Sequence, residues 1–322
     1  MKIYDIKDMV EIAQKIRRPF HSKYLAMYSS VIDGIVTDPA LMTVPVDDHI
    51  VHRGDGVFET MKCLNGNIYN LESHLMRLKH SATALYHELP KSEKEISNLI
   101  VETVKVAGKK NCSIRLLISR GPGSFDVNPY DCPESQIYII VTDLKSAFME
   151  LHPEGATVMK SRIPVKPSFF AGLKSCNYLP NVLMKKEAID GKVDFVVGFD
   201  ANGFLAEGAT ENVGIITADN RLLFPKLDSI LCGTTMMRVI ELADTLINDG
   251  VLSDISQADI TYGQVANAAE IILVGTTINV VRVREFDHKP IGISAQSKAV
   301  QCLSELLKND IDSNISLQTK AL

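Results

Sequence analysis

The first seventy residues show the hydrophobic pattern of strands and tight turns rather than that of helices. Short apolar runs such as MYSSVI and GNIYNL are separated by polar, proline-containing stretches such as DPALMTVPVDD. Apolar runs of this length, bounded by turn residues, are typical of β-strands. We therefore expect residues 25 to 70 to form extended strands joined by turns.

Two amphipathic helices are predicted next. Apolar residues recur at spacings of three and four, which places them on one helical face: Leu71, Leu75, Leu78, Ala82, Leu85 and Leu89. A second helix is predicted from Glu93 to Ala107, and Gly108 can end it because glycine readily adopts the left-handed conformation. The runs SIRLLIS and QIYIIVTDL then predict two neighbouring strands.

The second half of the chain begins near the polar stretch LKSAFMELHPEG. Beyond it we predict a strand in ATVMKSRIP and a hairpin in DFVVGFDANGFLAEG, where Asn202 and Gly203 form a strong tight-turn signal. Helices are predicted in TTMMRVIELADTLINDG, with Gly250 as its stop, and in SAQSKAVQCLSELLKND; AEIILVG is a buried strand between them. The predicted organisation is an N-terminal extension over residues 1–24, a domain over 25–148 and a domain over 149–322.

Composition narrows the class of protein. A chain of 322 residues with 46% hydrophobic and 23% charged residues is long enough for two ordinary globular cores. The net charge of -5 provides no overall attraction to nucleic acid or to an anionic membrane. Six cysteines without a CxxC pair suggest neither a zinc site nor a disulfide framework. Apolar runs are too short to span a bilayer. We expect a cytoplasmic protein.

Lys174 is the first candidate for chemistry. It opens the segment KSCNYLPNVLMKKEA, directly behind the apolar SFFAGL. Apolar surroundings disfavour the ammonium form of a lysine, which leaves the amine available as a nucleophile for Schiff-base chemistry. A lysine beside a helix is more commonly solvated, so this argument depends on the rest of the chain.

Several segments, in the same order, resemble those of the fold-type IV pyridoxal-phosphate enzymes. They are VHRGDGVFETMKCLNGNIYNLESHLMRL, KSCNYLPNVLMKKEA, GFLAEGATENVGII, LFPKLDSILCGTTMMRVIELA and IILVGTTINVV. The family includes branched-chain aminotransferases, D-amino acid aminotransferases and aminodeoxychorismate lyases, and the resemblance covers nearly all of residues 25–305. It implies an α/β (α+β) architecture with a smaller α/β N-terminal domain and a larger C-terminal domain with a barrel-like sheet. Members are usually homodimers, so we expect at least a dimer.

The resemblance also implies a cofactor site for pyridoxal 5'-phosphate. Lys174 matches the catalytic residue that forms the Schiff base and then carries the proton between substrate and cofactor. Glu207, in AEGATEN, matches the carboxylate that faces the pyridine nitrogen. Tyr178 is a candidate hydrogen-bond donor to the phenolate oxygen, although it lies one residue closer to the lysine than in typical branched-chain enzymes.

The implied phosphate ligands come from three parts of the chain. Arg77 resembles the phosphate arginine of the family. Thr234 and Thr235 precede a predicted helix, whose first amide groups favour an anion, and Thr276 follows a buried strand. Each threonine taken alone has an equally ordinary explanation as a helix cap or a turn residue.

Substrate preference is less directly encoded. Bacterial D-amino acid aminotransferases hold the carboxylate with an arginine and a histidine, but Phe125 and Val127 stand at the aligned places, and Phe58 replaces a tyrosine. Arg115 resembles an arginine of the branched-chain enzymes, and Thr277 is a further candidate for the substrate carboxylate. We therefore expect these three residues, Phe58, Arg115 and Thr277, to contact substrate.

The N-terminal half, together with SRGPGSF and KSCNYLPNVL, looks closest to the plant-type D-amino acid aminotransferase-like group. We therefore rank transamination between a D-amino acid such as D-alanine and a 2-oxo acid first. Branched-chain L-amino acid transamination is second and aminodeoxychorismate lyase activity third.

Two interpretations from other classes are weaker. A pyridoxal-phosphate-binding homologue without activity is disfavoured because Lys174 and Glu207 are both present. A metal hydrolase built on His49 and His52 lacks a third ligand at a suitable spacing, so we interpret both histidines as structural and expect no metal.

Overall fold

The computed structural model describes residues 1–292 and 298–322, and it divides into two compact units. The first contains Met1–Lys145, Ser175–Asn177 and Gln318–Leu322, and the second contains Ser146–Lys174 and Tyr178–Leu317. The predicted boundary lies between residues 148 and 149, with residues 1–24 set apart. In the structure the first unit ends three residues earlier, includes residues 1–24, and recruits two short segments from later in the chain.

The described residues form the following elements. The strands are β1 (Tyr24–Ser29), β2 (Gly34–Val36), β3 (Gly56–Leu64), β4 (Asn67–Tyr69), β5 (Cys112–Ser119), β6 (Gln136–Asp143), β7 (Ala156–Lys160), β8 (Phe195–Phe199), β9 (Leu205–Gly208), β10 (Asn212–Ile216), β11 (Arg221–Pro225), β12 (Asp254–Ala258), β13 (Glu270–Gly275), β14 (Asn279–Phe286), β15 (Lys289–Pro290) and β16 (Gln318–Lys320). The helices are α1 (Met9–Ile16), α2 (His49–His52), α3 (Leu71–Ala84), α4 (Glu93–Ala107), α5 (Phe148–Leu151), α6 (Ser168–Ala171), α7 (Leu179–Asp190), α8 (Thr234–Asn248), α9 (Tyr262–Ala266) and α10 (Ala299–Ser313).

The first unit is an antiparallel sheet with helices packed on one face. Its strand order is β16-β4-β3-β5-β6-β1-β2, and every neighbouring pair is antiparallel. Alternate residues of the central strands join the apolar faces of α3 and α4 in one buried cluster; examples are Met61, Ile114, Leu116, Leu78 and Ile100. The strands predicted before residue 70 and the SIRLLIS–QIYIIVTDL pair are confirmed.

The two predicted helices of this unit differ in how well the sequence predicts their ends. α4 has the predicted bounds because Ser92 and Glu95 form a capping box at its start and Gly108 ends it at φ 66°. The predicted helix over residues 71–89 ends earlier, at Ala84. Tyr86 takes a left-handed φ of 55°, and this reverses the chain before Leu89 can continue the helical stripe.

A buried ion pair joins α3 to the sheet. Glu59 of β3 is fully buried, and Arg77 donates from Nε and Nη2 to its two carboxylate oxygens at 2.7 Å each. His74 Nδ1 lies 2.7 Å from Glu59 Oε2. Burial alone would raise the pKa of Glu59, but the charge and hydrogen bonds of Arg77, together with His74, lower it to about 2. The carboxylate is therefore ionised in the core.

The second unit contains a closed six-stranded barrel. Its strands follow the order β10-β13-β14-β7-β8-β9, and the pairing of Glu207 in β9 with Asn212 in β10 closes the ring. β12 and β11 extend this sheet from β10, and β15 pairs with β14. Alternate strand residues form one apolar cluster, including Val158, Val197 and Leu273. The predicted larger domain with a barrel-like sheet is confirmed.

The local predictions for this unit are largely confirmed. β8 and β9 form the predicted antiparallel hairpin, with Gly203 at φ 83° in its turn. α8 has its predicted extent and is followed by Gly250 at φ 71°. The sequence predicts the terminal helix over residues 294–310; it occupies Ala299–Ser313, and the predicted start at 294–297 lies outside the described residues.

Within residues 1–292 and 298–322, no helix has the length and hydropathy that a membrane crossing requires.

The ion pair in the first unit leads to a prediction about stability. Arg77→Ala removes the cation and leaves Glu59 buried without it, so the free energy of unfolding should fall by about 3–5 kcal/mol. Lys79→Ala is the matched control on the same helix, because Lys79 is 60% exposed and pairs with Glu93 at the surface. Its cost should stay below about 1 kcal/mol. Urea unfolding of the three proteins measures both values.

Unfolding by acid is a second measurement of the Arg77–Glu59 ion pair. The pKa of Glu59 is depressed in the folded state, to about 2, against about 4.3 when unfolded. Its stabilising contribution is therefore complete above about pH 4.3 and is lost as the pH falls towards 2. In Arg77→Ala the effect of acid on stability should have the opposite sign, because a buried carboxylate without its cation is stabilised by taking up a proton. Parallel acid-unfolding curves for Arg77→Ala and the parent would contradict this account.

Candidate active site

Lys174 lies in the loop between α6 and α7, in the second unit. Of the apolar run before it, Ala171 and Leu173 are buried, whereas Phe169 and Phe170 are exposed, so the apolar setting that its sequence predicted is formed only in part. α7 begins only at Leu179, and Pro180 in its first turn fits a helix start. The lysine therefore precedes the helix on an irregular stretch of backbone rather than standing on the helix itself.

Glu207 occupies the position where the barrel closes. Its side chain is 13% exposed, Oε2 accepts a hydrogen bond from Leu231 N–H at 3.1 Å, and Oε1 lies 3.8 Å from Lys166 Nζ. Burial raises the pKa of Glu207, and the nearby charge of Glu211 adds to that effect. The charges of Lys166 and Lys174 and the Leu231 amide act in the opposite direction. Lys174 and Glu207 are thus close enough to influence each other electrostatically.

The predicted threonines come together from two separate segments of the second unit. Thr235 Oγ1 lies 3.5 Å from Thr276 Oγ1, one at the start of α8 and the other in the β13–β14 turn. Thr234, the first residue of α8, is buried. The N-cap of α8 is Gly233, which has no side chain to satisfy the amide groups of the first turn. A helix start of this kind, beside two hydroxyl groups, suits a phosphate monoester.

Close packing fixes the start of α8 against the barrel. A Cβ on Gly233 would lie 1.9 Å from Asn212 Oδ1, so no other residue fits there without movement. Asn212 in turn donates from Nδ2 to Leu231 O at 2.8 Å, and it is the strand partner of Glu207. The carboxylate and the helix start are therefore positioned by the same pair of strands.

Two other candidates lie beside these groups. Tyr178 is the N-cap of α7, and its ring centroid is 5.2 Å from Lys166 Nζ. Thr277 is exposed in the β13–β14 turn, next to Thr276. Lys166 itself is not among the predicted site residues. Its signal in the sequence is PVKPSFF, a lysine set among apolar residues and prolines, which is the same kind of signal that singled out Lys174.

The remaining candidates belong to the first unit. Arg77 faces the helix-covered side of the sheet, where it is paired with Glu59. Phe58 and Arg115 lie on the opposite face, since strand residues alternate and Arg115 is directly across from Thr60. The Arg115 guanidinium carbon is 5.7 Å from the Phe58 ring centroid, and Arg115 is exposed.

Arg120 is engaged in holding the fold. Its guanidinium donates to both carboxylate oxygens of Asp55 and to the carbonyl oxygens of Leu85 and Tyr86. Strand alternation would place Arg115 and Arg120 on opposite faces. β5 ends at Ser119, however, so Arg120 lies beyond the strand and the alternation does not apply to it. Its hydrogen bonds, rather than the face of the sheet on which it lies, distinguish Arg120 from Arg115.

The two histidines have ordinary polar neighbours. His49 Nδ1 lies 3.3 Å from Asp55 Oδ2, and His52 Nε2 lies 3.4 Å from the carbonyl oxygen of Asp47. In the described part of the chain, no group of three or more metal-ligating side chains comes together.

Comparisons with known proteins identify the family of the chain. The family model described as amino-transferase class IV matches residues 56–286. A D-amino-acid transaminase of Arabidopsis thaliana, described as chloroplastic, is 39% identical over 292 residues, which are 90% of this chain and 78% of that protein. A putative branched-chain-amino-acid aminotransferase of Methanocaldococcus jannaschii is 30% identical over 278 residues, 86% of this chain and 94% of that protein.

Solved structures share the fold. A branched-chain amino acid aminotransferase crystallised with pyridoxamine 5'-phosphate superposes with a TM-score of 0.85 at 24% identity, over 93% of this chain and 99% of that one. The enzyme of Thermoproteus uzoniensis, solved with norvaline, gives a TM-score of 0.81 at 23% identity, over 93% of this chain and 100% of that one. The family match spans more than half of the chain, and the Arabidopsis relative is similar over most of it. The chain belongs to the class IV aminotransferases, which are pyridoxal-phosphate-dependent transaminases.

Proposed function

We propose that this aminotransferase moves the amino group of a small D-amino acid, D-alanine above all, to a 2-oxo acid, with Lys174 as its catalytic lysine. The observation that supports this chemistry is that Lys174 lies close enough to Glu207 for its charge to lower the pKa of that largely buried carboxyl group, at the point where the barrel closes. The preference for a D-amino acid is supported by the 39% identity to a relative described as a D-amino-acid transaminase.

Lys174 is proposed to bind the cofactor covalently and then to move a proton. When bound, pyridoxal phosphate withdraws electrons from the substrate Cα, so that its proton becomes acidic. The released amine of Lys174 takes that proton and returns it at another carbon, which makes the lysine both base and acid.

Glu207 is proposed to hold the positive charge of the pyridine nitrogen. A carboxylate that is mostly removed from water interacts more strongly with a cation than an exposed one does. The Leu231 amide fixes one oxygen of that carboxylate, at 3.1 Å. Tyr178, at the start of the next helix, is the proposed donor to the phenolate oxygen.

The phosphate is proposed to bind at the start of α8, where Thr234, Thr235 and Thr276 meet. Arg77 is included on the strength of the family resemblance. Two of its nitrogens already donate to Glu59, which holds the guanidinium plane in one orientation.

For the substrate carboxylate we propose Arg115, with Phe58 and Thr277 as further contacts. Arg115 is exposed and stacked near Phe58, whereas the bonds of Arg120 to Asp55 and to two backbone carbonyls hold it in the fold. A planar guanidinium is well suited to a carboxylate because it can bind both oxygens at once.

Branched-chain L-amino acid transamination is the second candidate, favoured by the 30% identity to the Methanocaldococcus protein. Aminodeoxychorismate lyase activity is the third, and both are outcomes of the substrate test below. We further propose a cytoplasmic homodimer. The compartment is supported by six cysteines without a disulfide pattern, and the dimer by the family resemblance. Light scattering on the purified protein tests the dimer.

Lys174→Ala should remove the covalent link to the cofactor and lower turnover by at least about 10²-fold, the size of a lost acid–base group. Borohydride reduction of the parent enzyme, followed by peptide mapping, should place the cofactor on Lys174. Lys185→Ala is the control, because Lys185 lies on α7 and donates to the carbonyl oxygen of Asp194. Labelling of another lysine in the parent enzyme would assign the catalytic role elsewhere.

Glu207→Gln should retain the covalent link but slow the proton transfer. A neutral side chain no longer favours the protonated pyridine nitrogen, and a loss of several kcal/mol of carbanion stabilisation corresponds to 10²-fold or more, on the order of 1.4 kcal/mol per tenfold. Single-turnover rates measure the effect, with cofactor affinity as the companion measurement. Rates equal to those of the parent enzyme would show that Glu207 does not act on the ring nitrogen.

Arg115→Ala should lower kcat/KM for D-alanine by roughly 10- to 100-fold, since a hydrogen bond to a charged group contributes about 1.5–3 kcal/mol. Arg115→Lys, which keeps the charge, should lose less. Half-reactions with both enantiomers of a panel of amino acids decide the substrate. A clear preference for L-leucine or L-isoleucine would favour the branched-chain assignment, and pyruvate release from aminodeoxychorismate without amino transfer would favour the lyase.

A further inference from the structure

Lys166 is a nearly buried cation beside Glu207. It lies in the loop between β7 and α6, its side chain is 9% exposed, and its Nζ is 3.8 Å from Glu207 Oε1. The ring of Tyr178 is 5.2 Å from the same ammonium group. Lysine side chains usually extend into water, and burying one costs several kcal/mol unless a negative charge offsets it. The placement of Lys166 is therefore favourable only while Glu207 is ionised.

A small cavity adds a second feature to this corner of the unit. It has a volume of about 10 Å³, close to the room that one water needs, and Lys166, Glu207 and Asn181 contribute to its lining. Asn181 Nδ2 donates to the carbonyl oxygen of Ala209 at 2.7 Å. Its Oδ1 is buried and finds no hydrogen-bond donor among the described residues. Lys166, whose ammonium group has three donors, thus lines the cavity together with two residues that carry acceptors, Glu207 and Asn181.

The charges around Glu207 have opposing effects. Burial and the carboxylate of Glu211, from the turn after β9, raise the pKa of Glu207. The charges of Lys166 and Lys174 and the backbone amide of Leu231 lower it. Of the two lysines, Lys174 must lose its proton to act as a nucleophile, so its charge changes during the reaction. Lys166 is not required to react.

We propose that Lys166 is a positioning residue, whose ammonium group beside the carboxylate keeps Glu207 ionised while Lys174 changes its protonation state. This inference rests on the role proposed above for Glu207. In this proposal a residue outside the predicted site keeps ionised the carboxylate that is proposed to hold the positive charge of the pyridine nitrogen.

The direct test uses the protein without cofactor. Infrared difference spectra against Glu207→Gln report the pH at which the Glu207 carboxyl takes up a proton. Lys166→Met should raise that pH by about one to three units, the usual effect of removing an opposite charge at this distance. Lys166→Arg should restore the parent value. Lys185→Met, a lysine of α7 bonded to a backbone carbonyl, is the control and should leave it unchanged.

A second measurement follows the loaded enzyme. In Lys166→Met the acidic limb of the kcat profile should move to higher pH by the same interval, with KM for the amino acid little changed. The absorbance titration of the bound cofactor should move with it. Lys166→Gln is the second neutral variant, and it takes the place of Lys166→Met if that protein does not fold.

The outcomes separate the two proposals. Proton uptake by Glu207 at the same pH in the neutral variants and the parent overturns the role of Lys166, whatever the activity of the enzyme. Borohydride labelling of a lysine other than Lys174 overturns the proposed function, and it leaves the titration of the cofactor-free protein as a separate result. A shift that Lys166→Arg does not restore would mean that shape rather than charge is responsible, which also overturns the inference.

Discussion

The pairing of Glu207 with Asn212 closes the barrel of the second unit, and the candidate site depends on it. This contact places a carboxylate in a poorly solvated position, where ionisation costs several kcal/mol unless partners offset it. It also places Asn212 against Gly233, so that the start of α8 is held by the same strands. One closure therefore positions both the carboxylate and the helix start that are proposed to hold opposite ends of the cofactor.

Two glutamates that are largely removed from water differ in how far their neighbours compensate the carboxylate charge. Glu59 receives hydrogen bonds from Arg77 and His74, and its pKa falls to about 2. Glu207 has one backbone donor and a lysine at 3.8 Å, and its pKa rises. A carboxylate whose charge is fully compensated by its partners stabilises the fold and gains little from a further cation. One that is incompletely compensated can still gain from a further cation, as expected at a functional site.

Much of the fold could be predicted from local patterns. The bounds of α4 followed from a capping box and a glycine, and the β8–β9 hairpin from Asn202 and Gly203, because these signals act within a few residues. The end of α3 could not be predicted in this way. Its apolar stripe continues to Leu89, and only the left-handed conformation of Tyr86 breaks it. Strand alternation does not extend to Arg120 either, because β5 ends one residue before it.

The sequence by itself determined the family, and it singled out Lys174 and Glu207 as candidates for the chemistry, because motif order and residue type are read directly from the chain. Only the tertiary structure decided what surrounds them. The approach of Lys166 to Glu207 and of Thr235 to Thr276 joins segments separated by about forty residues. Such contacts depend on barrel closure and on the balance between burial and charge, which arise only when distant strands pack together.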